Sequence, residues 1–227
     1  MIKKWLYKIF RIRRKLFTSD LHFGHKNVIT YCNRPWATKE EMNEGLVKLW
    51  NEQVNPWDEV YIIGDFSLNP KPVKDFAPRL NGIKHFITGN HDACFGFATN
   101  RKASHMREKY LEQFATVESQ QTLVLKNGQR VLLSHFPYKN KDGSKYDTRY
   151  WDQRPNEQDL VLLHGHLHSR YVKLGKMIDV GIDNNFKLYT EDDIIKLIND
   201  EREYIPSRLT DYYREPRNNM KGMSDEY

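Results

Sequence analysis

Apolar positions in this chain fall in short runs separated by polar turns, and the spacing within each run predicts an element. Runs that read as strands are Lys15–Ser19, Glu59–Ile63, Ile83–Thr88, Thr122–Lys126, Gln129–Ser134, Leu160–His164, Tyr171–Leu174 and Met177–Gly181. Asn127-Gly128 lies between two of them and signals a hairpin turn. Elsewhere the spacing is helical. Thr38 and Glu41 read as a capping box, and Met42, Leu46, Leu49 and Trp50 then recur on one face. Thr190 with Asp193 starts a second helix striped by Ile194, Leu197 and Ile198, and Ser104 to Phe114 is a third. Strands mixed with helices and ending in hairpins predict a sheet-based α/β core with helices outside. The core runs from about residue 15 to about residue 205. Residues 1–14 form a leading extension, and 206–227 read as a polar surface tail with two prolines and no periodicity.

A chain of 227 residues with 39% hydrophobic side chains suits one domain with a sizeable core. Only two cysteines occur, Cys32 and Cys94, so neither a disulfide framework nor a cysteine-rich zinc site is available, and a reducing cytoplasm fits best. There is no apolar run long enough for a membrane span and no signal-peptide pattern. The net charge of +6 is uneven. Residues 1–15 hold seven of the 36 Lys and Arg and no acid, and the remaining chain has a net charge of −1. Ile2, Trp5, Leu6, Ile9 and Phe10 repeat among those cations. Residues 1–14 are therefore either a helix docked on the protein's own core or a basic amphipathic helix for nucleic acid or an anionic membrane.

The chemistry follows the strands. Asp20-Leu21-His22, Gly64-Asp65, Gly89-Asn90-His91-Asp92, His135 and His166-Leu167-His168 each come directly after a predicted strand. In open α/β sheets the carboxyl ends of strands gather at one edge, where ligands bind. Asp20 and His22 are two residues apart, so an extended segment would point both to one face, and His166 and His168 would do the same. Glycines beside Asp65, Asn90 and His166 permit sharp turns and close backbone approach. Oxygen and imidazole donors without thiolate suit manganese, iron or zinc.

These motifs, in this order, resemble the calcineurin-like metallophosphoesterase superfamily over about residues 16–185. The stretch from Thr18 to Asn27 is similar to its small bacterial-type phosphoesterases. The resemblance implies a four-layer α/β fold, with two mixed β-sheets packed as a sandwich and flanked by helices. It assigns Asp20, His22, Asp65 and His168 to a first metal and Asp65, Asn90, His135 and His166 to a second, with Asp65 bridging. Two divalent ions are implied, manganese first, with iron, zinc or nickel as others. Their water, turned hydroxide near neutral pH, would attack phosphorus. His91 takes the family's catalytic position, acting on the leaving oxygen or the transition-state charge, with Asp92 as the partner that holds its imidazole.

Further residues are open to two readings each. Arg34, in Arg34-Pro35-Trp36, either contacts phosphate or forms a structural ion pair. Residues 136–156, including Arg149, Tyr150, Trp151 and Arg154, form either a solvated loop or a substrate wall. His164 either supports the metal ligands from behind or bonds backbone, and His25 either touches substrate or caps a helix. Cys94 reads as a small buried hydrophobe. The expected activity is hydrolysis of a phosphate ester, either mono- or diester, of a small molecule or nucleotide. The alternatives are a non-catalytic metal-binding scaffold on the same fold, against which His91 and the full ligand set argue, and a nuclease, against which the near-neutral core argues. Protein phosphatases of the superfamily carry an arginine soon after Gly-Asp and Gly-Asn-His-Glu later. Phe66-Ser67-Leu68 and Asp92 depart from that pattern and count against a phosphoprotein substrate.

Overall fold

The computed structural model describes residues 13–139, 150–168 and 171–204. Two five-stranded mixed sheets are formed. In the first, β1 (Lys15–Thr18), β2 (Glu59–Ile63), β3 (Ile83–Ile87) and β4 (Thr116–Glu118) run parallel, and β10 (Tyr189–Thr190) pairs antiparallel with β1. The second has the order β5 (Gln120–Val124), β6 (Arg130–Ser134), β7 (Val161–His164), β9 (Met177–Asp179), β8 (Lys173–Leu174). Its three middle strands are parallel and its two edges antiparallel. The helices are α1 (Asn27–Tyr31), α2 (Lys39–Gln53), α3 (Pro70–Phe76), α4 (Arg101–Leu111) and α5 (Glu191–Asn199).

Strand alternation distributes the core. In β2, Val60 and Ile62 face a helical layer with Met42, Leu46 and Trp50 of α2 and Tyr110 of α4. Tyr61 and Ile63 face the other way, joining Phe17 and Ile87 against Val131, Leu133, Leu163 and Ile178 of the second sheet. That second cluster is the inside of the sandwich. On the outer face of the second sheet, Leu132, Leu162 and Met177 are covered by Tyr138 and Tyr171. Of the helix starts expected at Thr38 and Thr190, one is a complete capping box, and at Thr38 the Glu41 carboxylate accepts from the Ala37 N–H instead. Thr38 Oγ1 accepts from the Glu41 N–H at 3.1 Å, and Thr190 and Asp193 form the complete reciprocal box.

Several expected elements shift. The strand expected at Thr122–Lys126 starts at Gln120, and the hairpin turns at Asn127-Gly128, with Gly128 at φ 85°. The helix expected from Ser104 begins at Arg101, behind an Asn100 cap. β4, β10, α1 and α3 were not expected. At the boundary expected after residue 14, the Arg14 carbonyl accepts from Glu59 N–H at 2.8 Å, and its guanidinium pairs with buried Asp58 and donates to the Gln53 carbonyl. The helix expected within residues 1–12 and the tail at 206–227 lie outside the described residues.

This topology builds the site's edge. β1, β2 and β3 share one direction, as do β6, β7 and β9, so six carboxyl ends are available. The sheets are joined at that end, where Ser19 pairs with Gly181 and Ile182 N–H donates to the Ser19 carbonyl at 3.0 Å.

Candidate metal centre

All five sequence clusters meet at this edge. Asp20 and His22 leave β1, Asp65 leaves β2, and Asn90 and His91 follow β3. His135 follows β6, and His166 and His168 follow β7. Asp65 Oδ2 is central, 3.3 Å from His135 Nε2, 3.7 Å from His22 Nε2 and 4.0 Å from His91 Nε2. On one side, Asp20 Oδ1 is 4.0 Å from both His22 Nε2 and His168 Nε2, and those two rings stack at 5.0 Å. On the other, Asn90 Oδ1 is 3.1 Å from His135 Nε2 and 3.0 Å from His166 Nδ1. Donors about 2.0–2.2 Å from one ion would lie roughly 3–3.5 Å apart around it, so these separations suit two adjoining coordination shells. Asp20, His22 and His168 form one compact donor group and Asp20, Asp65 and His135 another.

The residues fit metal on independent grounds. Both ring nitrogens of His22 are buried and have no hydrogen-bond partner among the described residues, a costly state that an ion would relieve. Asp20, His22, Asp65, His166 and His168 all have left-handed backbone, with φ between 48° and 73°. Non-glycine residues hold such conformations only where the surrounding structure enforces them, and such strain gathers at functional sites. This corrects the expected backbone. Asp20/His22 and His166/His168 do converge, but through left-handed turns rather than an extended pleat.

The glycines beside the ligands are dictated by space. A Cβ on Gly89 would lie 2.2 Å from Asp65 Oδ1, and one on Gly64, at φ 87°, would lie 2.3 Å from His135 Nδ1. His135 Nδ1 is also 2.9 Å from the Ile63 carbonyl, which can only accept. Nδ1 therefore carries the proton, and in the neutral ring Nε2 presents a lone pair to Asp65 and Asn90. His168 has the same arrangement, with Nδ1 2.9 Å from Asp183 Oδ2 and Nε2 towards Asp20.

Electrostatics separate the histidines. Burial holds His22 well below the usual imidazole range, with neighbouring His168 and Arg34 adding to the effect against Asp65. Burial also lowers His91, and pushes His25 down to about 4. For His135, burial is outweighed by the Asp65 carboxylate, which raises it to about 9. Burial together with Asp65 pushes Asp92 up to about 8, yet Asp92 accepts backbone N–H bonds on both oxygens, which favours its ionised form.

Asp92 departs from the expected partnership with His91. Its carboxylate accepts from the N–H groups of Asp65 and Gly89, both at 2.8 Å, and of Phe66 at 3.0 Å, and makes no bond to the His91 ring among the described residues. Asp92 braces the two turns that carry Asp65 and Asn90. His91 is held instead by its backbone N–H, which donates to Asp65 Oδ1 at 3.0 Å, and its side chain is 19% exposed. Of the two readings of Arg34, the structure shows the ion pair. The Arg34 side chain is 0% exposed, and its guanidinium is engaged by Asp183 and by the Asp20 and Leu21 carbonyls. Arg149 lies outside the described residues. His164 is fully buried between the Gly165 carbonyl and the Tyr171 hydroxyl, so it bonds its own surroundings. His25 packs its ring 5.6 Å from that of His22. Asp183, behind His168, is a supporting residue that the sequence reading does not single out, although it too lies shortly after a strand, β9.

A family model described as the calcineurin-like phosphoesterase superfamily domain matches residues 16–178 and spans this whole constellation. The chain belongs to that superfamily. Its similarity to curated proteins extends further along the chain. An uncharacterised protein of Methanocaldococcus jannaschii is 32% identical over 198 residues, covering 82% of this chain and 92% of its own. The gene 66 protein of Mycobacterium phage D29 is 32% identical over 197 residues, covering 82% and 96%. Among solved structures, a protein of unknown function from Aquifex aeolicus matches with a TM-score of 0.61 at 23% identity, covering 82% of this chain and 99% of that one, a likeness of fold alone. No described helix is long and apolar enough to cross a membrane.

Proposed function

We propose that this superfamily member hydrolyses a phosphate ester of a small molecule or nucleotide with two divalent cations, manganese foremost, in a reducing cytoplasm. The observation carrying this reading is Asp65 Oδ2, which lies within 4.0 Å of imidazole nitrogens from three different loops, where a shared carboxylate would stand between two ions. Asp20, His22 and His168 would complete one shell with it, and Asn90, His135 and His166 the other. When bound, such a pair supplies Lewis acidity towards phosphoryl oxygens and lowers the pKa of a water to near neutrality.

The chain's own residues do the rest. Asp65 and Asp20, fully buried, supply the negative charge that holds cations. His135 and His168 keep their lone pairs aimed inward because their other nitrogens are tied to Ile63 and Asp183. His91, partly exposed at the mouth, is free to act on the leaving oxygen. A cavity of about 320 Å³ is lined by Ser134 and Phe136, the two neighbours of His135, with Thr88, Phe95, Phe97 and Arg154. Its rings suit a planar group, and Asp152 stands in the lining beside Arg154.

The test is a panel of mono- and diesters, nucleotides included, assayed after chelation and after reconstitution with manganese. Turnover should vanish with metal removal and return with manganese, and Asp65→Asn should bind fewer than two ions. Full turnover after rigorous chelation would overturn the reading.

A further inference from the structure

We infer that Arg34 and Asp183 are positioning residues, a buried clamp that fixes three ligands of the first metal shell; this rests on the two-metal reading above. Arg34 lies near α1, far from Asp183 in sequence, yet its guanidinium reaches four oxygen acceptors and the Met42 sulfur. Nε donates to Asp183 Oδ1 at 2.7 Å and Nη2 to Oδ2 at 3.0 Å. Nη2 also donates to the Asp20 carbonyl at 2.7 Å, and Nη1 to the Leu21 carbonyl at 2.8 Å. The last two bonds hold the backbone between Asp20 and His22, where φ is 58° and 53°. The first two orient Asp183, whose Oδ2 lies 2.9 Å from His168 Nδ1.

The arrangement has direction. A guanidinium has only donors, and in this fork geometry it fixes the carboxylate plane. Asp183 Oδ2, held by Nη2, also accepts from His168 Nδ1, which sets that ring's tautomer and rotation so that Nε2 faces Asp20. Cys32 Sγ lies 3.3 Å from the same Nδ1 and closes the remaining side. Without an ion to hold, a bare Arg34–Asp183 pair would be a poor use of two buried charges, since apolar replacements often match such pairs in stability. Its value lies in geometry. The left-handed turn at Asp20 and His22 and the ring of His168 are the parts of the shell least fixed by regular structure, and the clamp reaches all three.

The test is calorimetric titration of the chelated protein with manganese, for wild type, Asp183→Asn, His168→Asn and the double variant. Asp183→Asn should weaken one of two binding events by roughly 10–100-fold, and leave the other within about twofold. In the His168→Asn background the same change should have no further effect, because Asp183 acts through that ring. A loss of equal size in both backgrounds, or none in either, overturns the clamp while leaving the two-metal reading standing. Wild type that takes up no ion overturns both. Melting of the metal-free proteins reports whether each variant folds. If Asp183→Asn does not, Arg34→Lys replaces it in the cycle. It keeps the charge but loses the fork, and its effect should be smaller in the His168→Asn background; an effect of unchanged size overturns the proposal.

Discussion

Asp92 accepts a hydrogen bond of 2.8 Å from the backbone N–H of Asp65, and its same oxygen accepts another of 2.8 Å from Gly89. One buried carboxylate thus ties the turn after β2 to the turn after β3. Those turns carry Asp65, which faces both candidate shells, and Asn90, which faces one. Asp92→Asn replaces one acceptor oxygen with an amide N–H₂ that faces backbone donors. Leaving them unsatisfied should cost about 1–3 kcal/mol. Melting and metal content should therefore fall together. If Asp92 instead acts as the partner of His91, stability and metal content would hold and only turnover would drop.

Gly89→Ala tests the same junction sterically. The added Cβ would lie 2.2 Å from Asp65 Oδ1 and 2.5 Å from the Asp65 nitrogen, so the turn must open. Overpacking of this kind typically costs about 1–3 kcal/mol. If the displaced carboxylate is shared by two ions, as proposed, both should bind more weakly, which equilibrium dialysis with manganese would measure. Loss of only one ion would argue against Asp65 as the bridge.

Removal of residues 1–12 should leave folding and small-substrate turnover intact. Removal through Arg14 should not. Asp58 is 0% exposed and pairs with the Arg14 guanidinium, and breaking a buried pair typically costs about 3–5 kcal/mol. Urea midpoints of the two truncations would check the difference. Similar midpoints would place the start of the core after Arg14.

The residues that gather at the sheet edge could be read from the sequence because each sits just after an apolar strand, and both features are local. What supports them could not. The clamp joins Arg34 to Asp183 across 149 positions, and no short pattern announces it. Asp183 also lies shortly after a strand, but four residues beyond the end of β9, where strand-end spacing no longer singles it out. The backbone bonds of Asp92 are not legible either, because its place beside His91 suggests a side-chain pair, whereas a tight turn points it back at backbone amides. Among the elements, β5 was misplaced because it is an edge strand that begins Gln120-Gln121 and alternates exposed with half-buried positions. α3 was missed because Pro70 and Pro72 resemble breakers, although proline is tolerated in a helix's first turn. β4 and β10 are three and two residues long, too short for any period to show.

His91 gives the sharpest prediction. His91→Asn should leave both ions bound, because the assigned ligands do not include it. Its backbone N–H, which bonds Asp65 Oδ1, is retained in the variant. What is lost is an imidazole at the mouth of the site, able to donate a proton or hydrogen bond where the leaving oxygen departs. A positioned general acid typically contributes about 10²–10⁴-fold. The loss should be greatest for alkyl esters, whose leaving oxygen needs protonation, and small for a nitrophenyl ester, whose leaving group is already a weak base. Metal content and rates on both substrate types must be measured on the same preparations. Equal losses on both would mean that His91 stabilises transition-state charge instead of giving a proton. Unchanged rates with both ions in place would remove His91 from the chemistry and favour a metal-binding scaffold.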